Sequence, residues 1–178
     1  MSNSSRSIRM ELKIYDNFLS KEEFLNLKSS IVFNTNFPFF LHDGITQPND
    51  SKGKYDWFAT HVIYDGGLPV SPLEDFYNEI GSIFFPNFNN MRSILRIKIN
   101  FYPHTNKVVE HKSHIDYDFS HTAAIFSLNT CDGYTKIGNN DIVDSIENRI
   151  VFFDGSKYHN STTTSNALGR FNISFNYH

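Results

Sequence analysis

Residues 111–118, His-Lys-Ser-His-Ile-Asp-Tyr-Asp, place two histidines and two aspartates within one short stretch. His114-Ile115-Asp116 is the only His-x-Asp or His-x-Glu in the chain. On an extended backbone, positions i and i+2 project to the same face, so this imidazole and this carboxylate can reach one point. Together they make two of the three ligands of the facial triad that holds non-haem Fe(II). The third ligand must be a histidine from another strand. His159, which follows the apolar run Ile150 to Phe153, is the candidate. Arg170 comes 11 residues later, far enough for a turn and the start of a neighbouring antiparallel strand. A buried arginine beside a metal suits bidentate recognition of a carboxylate. Ser174 shares the face of Arg170 and could add a hydroxyl to the same carboxylate. His111 lies three residues before His114, on the opposite face, and is expected to be exposed. Asp118 is expected to be solvated, and Arg96 and Lys98 to lie on a solvated face, though either could touch an anionic substrate. His42, His104, His121 and His178 read as ordinary histidines, and His61 either lies near the pocket or is a core or surface histidine.

These residues need strands to hold them. In 96–102, Ile97, Ile99 and Phe101 alternate with Arg96, Lys98, Asn100 and Tyr102. Residues 170–177 alternate most cleanly, with Phe171, Ile173, Phe175 and Tyr177 on one face and Arg170, Asn172, Ser174 and Asn176 on the other. That polar face is either solvated or the polar lining of a barrel mouth. Further strands are expected over 57–65, 121–128 and 149–154, with turn signals between the later runs. Aromatic residues make up 16% of the chain, with 18 Phe, 9 Tyr and 1 Trp, which favours strands and sandwich cores. Two helices precede the β-rich half. Ser20-Lys21-Glu22-Glu23 has the form of a capping box, with Phe24, Leu27 and Ile31 on one face beyond it. Ser71-Pro72-Leu73-Glu74 is expected to start the second helix. Residues 34–54, rich in Asn, Asp, Gly and Pro, read as a long loop. The pattern predicts an antiparallel jelly-roll with N-terminal helices packed on the outer face.

With 178 residues, 39% hydrophobic and 20% charged, the chain has the composition of a globular domain. A single domain over 1–178 is expected, with helical support in 11–92 and the jelly-roll core in 93–178. The formal charge of −3, without a basic cluster, does not suggest nucleic-acid binding. No apolar run is long enough to span a bilayer, and residues 1–9 lack the apolar core of a signal peptide. One cysteine, Cys131, excludes an internal disulfide and fits a reducing cytoplasm.

The order His-x-Asp, distal His, Arg resembles that of the Fe(II)/2-oxoglutarate-dependent oxygenases. The surrounding stretches 100–118, 121–137 and 147–175 resemble the prolyl-4-hydroxylase-like branch, most closely its short stand-alone bacterial and viral members. The resemblance covers residues 93–178 well and 11–92 loosely. It implies a double-stranded β-helix in which His114, Asp116 and His159 bind Fe(II). It implies that Arg170 pairs with the distal carboxylate of 2-oxoglutarate, helped by Tyr102 and Ser174. Where related hydroxylases often carry a cosubstrate-contacting tyrosine, this chain has Ser127. The implied reaction consumes O2 and 2-oxoglutarate and hydroxylates an unactivated C–H bond, most simply of a peptide or protein residue such as proline. A small molecule such as a free amino acid is the alternative substrate, and a jelly-roll binding module without turnover the alternative function. A carboxylate at Asp116, where the halogenases of this superfamily carry a small residue, implies hydroxylation.

Overall fold

A computed structural model describes residues 11–43 and 57–178; residues 1–10 and 44–56, including most of the expected 34–54 loop, lie outside the described residues. In chain order the elements are β1 (Lys13–Tyr15), α1 (Lys21–Ile31), β2 (Phe40–Asp43), β3 (Trp57–Asp65), β4 (Leu68–Pro69), α2 (Phe76–Phe84), β5 (Ile94–Pro103), β6 (Thr122–Ser127), β7 (Tyr134–Ile137), β8 (Asp141–Asp144), β9 (Arg149–Asp154), β10 (His159–Asn160) and β11 (Gly169–Tyr177).

The two most regular alternations form the longest ladder. β11 pairs antiparallel with β5, with Ile173 opposite Ile99 and Asn172 opposite Asn100. Because side chains alternate across a strand, this register separates the two faces cleanly. Ile97, Ile99, Ile173 and Phe175 are fully buried in one core cluster with Phe24, Leu27 and Ile31 of α1 and Phe76, Ile80 and Phe84 of α2. Lys98, Asn100, Asn172 and Ser174 take the other face and line a cavity. The full sheet has eight strands in the order β1-β9-β6-β11-β5-β3-β2, with β4 paired to β3.

A smaller sheet, β10-β7-β8, covers the polar face. Residues 104–114 run beside 159–164 through three isolated bridges, His104 to Thr164, Glu110 to Thr162 and His114 to His159. Two antiparallel layers around one cavity make the jelly-roll that the sequence predicts. Among the described residues, no helix is long and apolar enough to cross a membrane.

Ser20 caps α1 as expected: the Glu23 amide donates to its hydroxyl, and the Glu23 carboxylate accepts from the Ser20 amide. The second helix begins later than expected. The Ser71 hydroxyl accepts from the Leu73 amide and meets His61 Nε2 at 2.8 Å, so Ser71-Pro72 closes a turn against β3. The helix starts only after Asp75, which adopts a left-handed conformation (φ 56°). Within the expected loop, Phe40–Asp43 is instead an edge strand paired to β3. Its apolar signal is only Phe39-Phe40-Leu41, too short to stand out.

Candidate active site

His114 and His159 are brought together by the main chain. The His114 amide donates to the His159 carbonyl at 2.9 Å, and the His159 amide donates back at 2.8 Å. The two imidazole centroids lie 4.6 Å apart. Asp116, two residues on, turns its carboxylate toward both, at 3.8 Å from His114 Nε2 and 3.8 Å from His159 Nε2. The three groups offer donor atoms within 4.8 Å of one another. His159 Nδ1 donates to the Lys157 carbonyl at 3.0 Å, which leaves the Nε2 lone pair facing the other two.

Asp116 is held from two sides. Arg96 donates to Oδ1 at 2.6 Å, and the Asn176 side-chain amide donates to Oδ2 at 3.1 Å. His121 Nε2 meets Asn176 Oδ1 at 3.0 Å behind it. Burial alone would raise the Asp116 pKa, but Lys98, Arg96 and the two histidines outweigh it and hold the carboxyl well below its usual range. Burial and the neighbouring His159 pull His114 down to about 4, and burial lowers His159 as well. The site therefore offers two neutral imidazoles and one ionised carboxylate at neutral pH. That donor set needs no deprotonation to accept a divalent cation, and its chemistry fits Fe(II).

A cavity of about 60 Å³ runs from this triad along β5 and β11. Behind Tyr102 and Thr135 of its wall stands Arg170, 1% exposed. It is the cross-strand partner of Tyr102, and its guanidinium carbon lies 5.5 Å from the Tyr102 ring centroid. One guanidinium nitrogen donates to Thr135 Oγ1 at 2.6 Å, while Nε has no partner among the described residues. Gly133 makes room for this side chain: a Cβ there would sit 2.8 Å from Arg170 Cδ and 2.7 Å from the Thr163 carbonyl. Tyr102 and Thr135 line the cavity directly. An incompletely paired guanidinium beside two hydroxyl-bearing side chains suits a carboxylate. Burial raises the pKa of Tyr102, which keeps its phenol protonated.

Ser174 also lines the cavity, but nearer the metal end. It lies opposite Lys98 and accepts from Asn100 Nδ2 at 3.3 Å. The hydroxyl that meets Arg170 is that of Thr135, for which the sequence carries no signal. Ser127 is buried and paired in register with Asn172.

Three expectations about neighbouring residues, those for His111, Arg96 and Lys98, are corrected. His111 is buried at 3%, with Nδ1 3.0 Å from Ser161 Oγ and its ring 5.4 Å from Tyr102. The strand period does not apply there, because 104–114 touches its neighbour only at isolated bridges. His121 is buried and supports Asn176. Arg96 and Lys98 face the site rather than solvent, because the polar side of β5 is the cavity wall. His61 is a core histidine bonded to Pro38 and Ser71. Asp118 is exposed as expected.

No protein-family profile and no curated protein matches the sequence. Solved structures do match. An oxidoreductase of the 2OG-Fe(II) oxygenase family from Burkholderia pseudomallei superposes with a TM-score of 0.67 at 14% identity, covering 93% of this chain and 84% of that one. A prolyl-4-hydroxylase from Pseudomonas putida gives 0.62 at 12% identity, covering 93% and 91%. The non-heme alpha-ketoglutarate-dependent epimerase SnoN from nogalamycin biosynthesis gives 0.62 at 11%, covering 96% and 78%. The chain thus has the fold of the 2-oxoglutarate- and Fe(II)-dependent oxygenases, prolyl hydroxylases among them.

Proposed function

We propose that this protein is an Fe(II)- and 2-oxoglutarate-dependent dioxygenase that hydroxylates an unactivated C–H bond. The observation that carries this reading is the convergence of His114, Asp116 and His159 within 4.8 Å, in a fold shared with such oxygenases. These three residues would hold the iron on one side and leave its other positions open toward the cavity. Bound iron would supply dioxygen activation, coupled to oxidative decarboxylation of 2-oxoglutarate to succinate and carbon dioxide.

The chain's own residues orient and exclude. Arg170, with Thr135 and Tyr102, would take the distal carboxylate of 2-oxoglutarate, fixing its reach toward the triad. Asn176 and Arg96 fix the Asp116 carboxylate. Phe153 packs its edge on His159, with centroids 5.2 Å apart, and shields that imidazole from water. A peptide or protein residue such as proline is the leading substrate, supported by the fold shared with the Pseudomonas putida hydroxylase. A small molecule such as a free amino acid is the second reading.

Anaerobic addition of Fe(II) and 2-oxoglutarate tests the class. The expected result is a visible charge-transfer band that disappears in His114→Ala and, at limiting 2-oxoglutarate, in Arg170→Ala. A wild-type protein with neither band nor cosubstrate binding would return the chain to the class of non-catalytic binding modules. A substrate screen read by succinate formation, followed by mass spectrometry for one added oxygen, separates peptide from small-molecule substrates.

A further inference from the structure

Lys98 is a cation on the cavity wall with no hydrogen-bond acceptor among the described residues. It stands at the triad end, opposite Ser174 on β11 and four residues from Tyr102 along β5. At about 3.3 Å per residue, the backbone of Lys98 is roughly 13 Å from the Arg170–Tyr102 pair, so its ammonium serves the triad end of the cavity and not the distal carboxylate site. The charged groups near Lys98 are Arg96, Asp116 and the exposed Asp65. Asp116 is already paired to Arg96. Two cations, Arg96 and Lys98, therefore surround a single buried carboxylate, with Asp65 on the exposed rim. A divalent metal and a dianionic cosubstrate cancel each other and leave this excess unchanged. An ammonium that attracts Asp116 only across space, while the hydrogen bonds of that carboxylate go to Arg96 and Asn176, still has its N–H groups to offer an arriving anion.

Building on the oxygenase reading, we infer that Lys98 forms an anion subsite for the primary substrate, recognising a carboxylate or phosphate carried close to the oxidised C–H bond. The ammonium is a compact donor with three N–H groups, suited to a single anionic oxygen group. Ser174, whose hydroxyl donates to the Lys98 carbonyl at 3.4 Å, and Asn176 line the same cavity. This narrows the substrate class to acids: a free acid, or a peptide bearing an acidic group next to the reacting residue.

The experiment uses the full chain loaded with Zn(II), a redox-inert stand-in, and 2-oxoglutarate. Acetate, inorganic phosphate and the neutral acetamide are titrated while backbone amide shifts are followed by NMR. The expected result is saturable shifts around Lys98 and Ser174 with one of the two anions, bound about tenfold or more tighter than acetamide. The tighter of acetate and phosphate assigns the carboxylate or phosphate class. Lys98→Met is expected to lose this preference, and Lys98→Arg to retain it, while calorimetry gives an unchanged 2-oxoglutarate affinity in both. The inference is overturned if acetamide binds as well as the anions, or if Lys98→Met keeps anion binding. It is also overturned if Lys98→Met loses 2-oxoglutarate, which would assign the lysine to the cosubstrate. If the wild type binds no 2-oxoglutarate, the oxygenase reading fails on its own. The same titration on the Zn(II)-loaded protein, compared with Lys98→Met, still decides the subsite.

Discussion

The Asn176 side chain donates to Asp116 Oδ2 at 3.1 Å and, through its own oxygen, faces His121 Nε2 at 3.0 Å. It links a candidate metal ligand to a histidine that touches no metal position. Asn176→Ala removes the donor and leaves the carboxylate held only by Arg96. The metal affinity is expected to fall about 10–100-fold, the usual cost of losing such outer support. Calorimetric titration with Zn(II) or Mn(II) measures it, and an affinity equal to wild type would deny Asn176 this role.

Gly133 is expected to be intolerant of any side chain. In Gly133→Ala the new methyl meets Arg170 Cδ and the Thr163 carbonyl, which are both buried. Overpacking of this kind costs about 1–3 kcal/mol of stability. The displaced guanidinium should also weaken 2-oxoglutarate binding while leaving Zn(II) affinity unchanged. Unaltered cosubstrate affinity in a folded Gly133→Ala protein would show that Arg170 does not serve that ligand.

Acidification should destabilise the metal-free protein. His114 titrates near 4 in the fold, against about 6.5 for a free histidine, and burial also lowers His61 and His159. A depressed folded pKa gives stability that is complete above about 6.5 and is lost as the pH falls through the folded value. Urea midpoints should therefore fall between pH 7 and 4, and a flat profile would contradict the burial of these imidazoles.

Phe84 is the joint between helix and sheet. It is fully buried, with ring centroids 4.8 Å from Phe175 and 5.0 Å from Phe126. Phe84→Ala should cost about 3–5 kcal/mol, measured by chemical denaturation, because the cavity it leaves cannot collapse between two strands and a helix.

Much of this arrangement is legible in the sequence, for physical reasons. Strand alternation in 170–177 and the i, i+2 spacing of His114 and Asp116 express geometry directly. The capping box at Ser20 is equally local. What alternation cannot say is which polar face is a cavity wall, and so Arg96 and Lys98 read as solvated. The link from His121 through Asn176 joins residues 55 positions apart and has no local trace. The late start of α2 depends on Ser71 meeting His61, a contact made only once β3 has formed.

The paired amides of His114 and His159 give the triad an uneven stiffness. Both imidazoles ride on a main-chain bridge, whereas Asp116 lies beyond the last such bridge and is fastened only through side chains. In deuterium exchange the amides of His114 and His159 should open together, as one event, and that of Asp116 sooner. The position of the carboxylate thus rests on two side chains, Arg96 and Asn176, whereas the two nitrogens rest on the main chain.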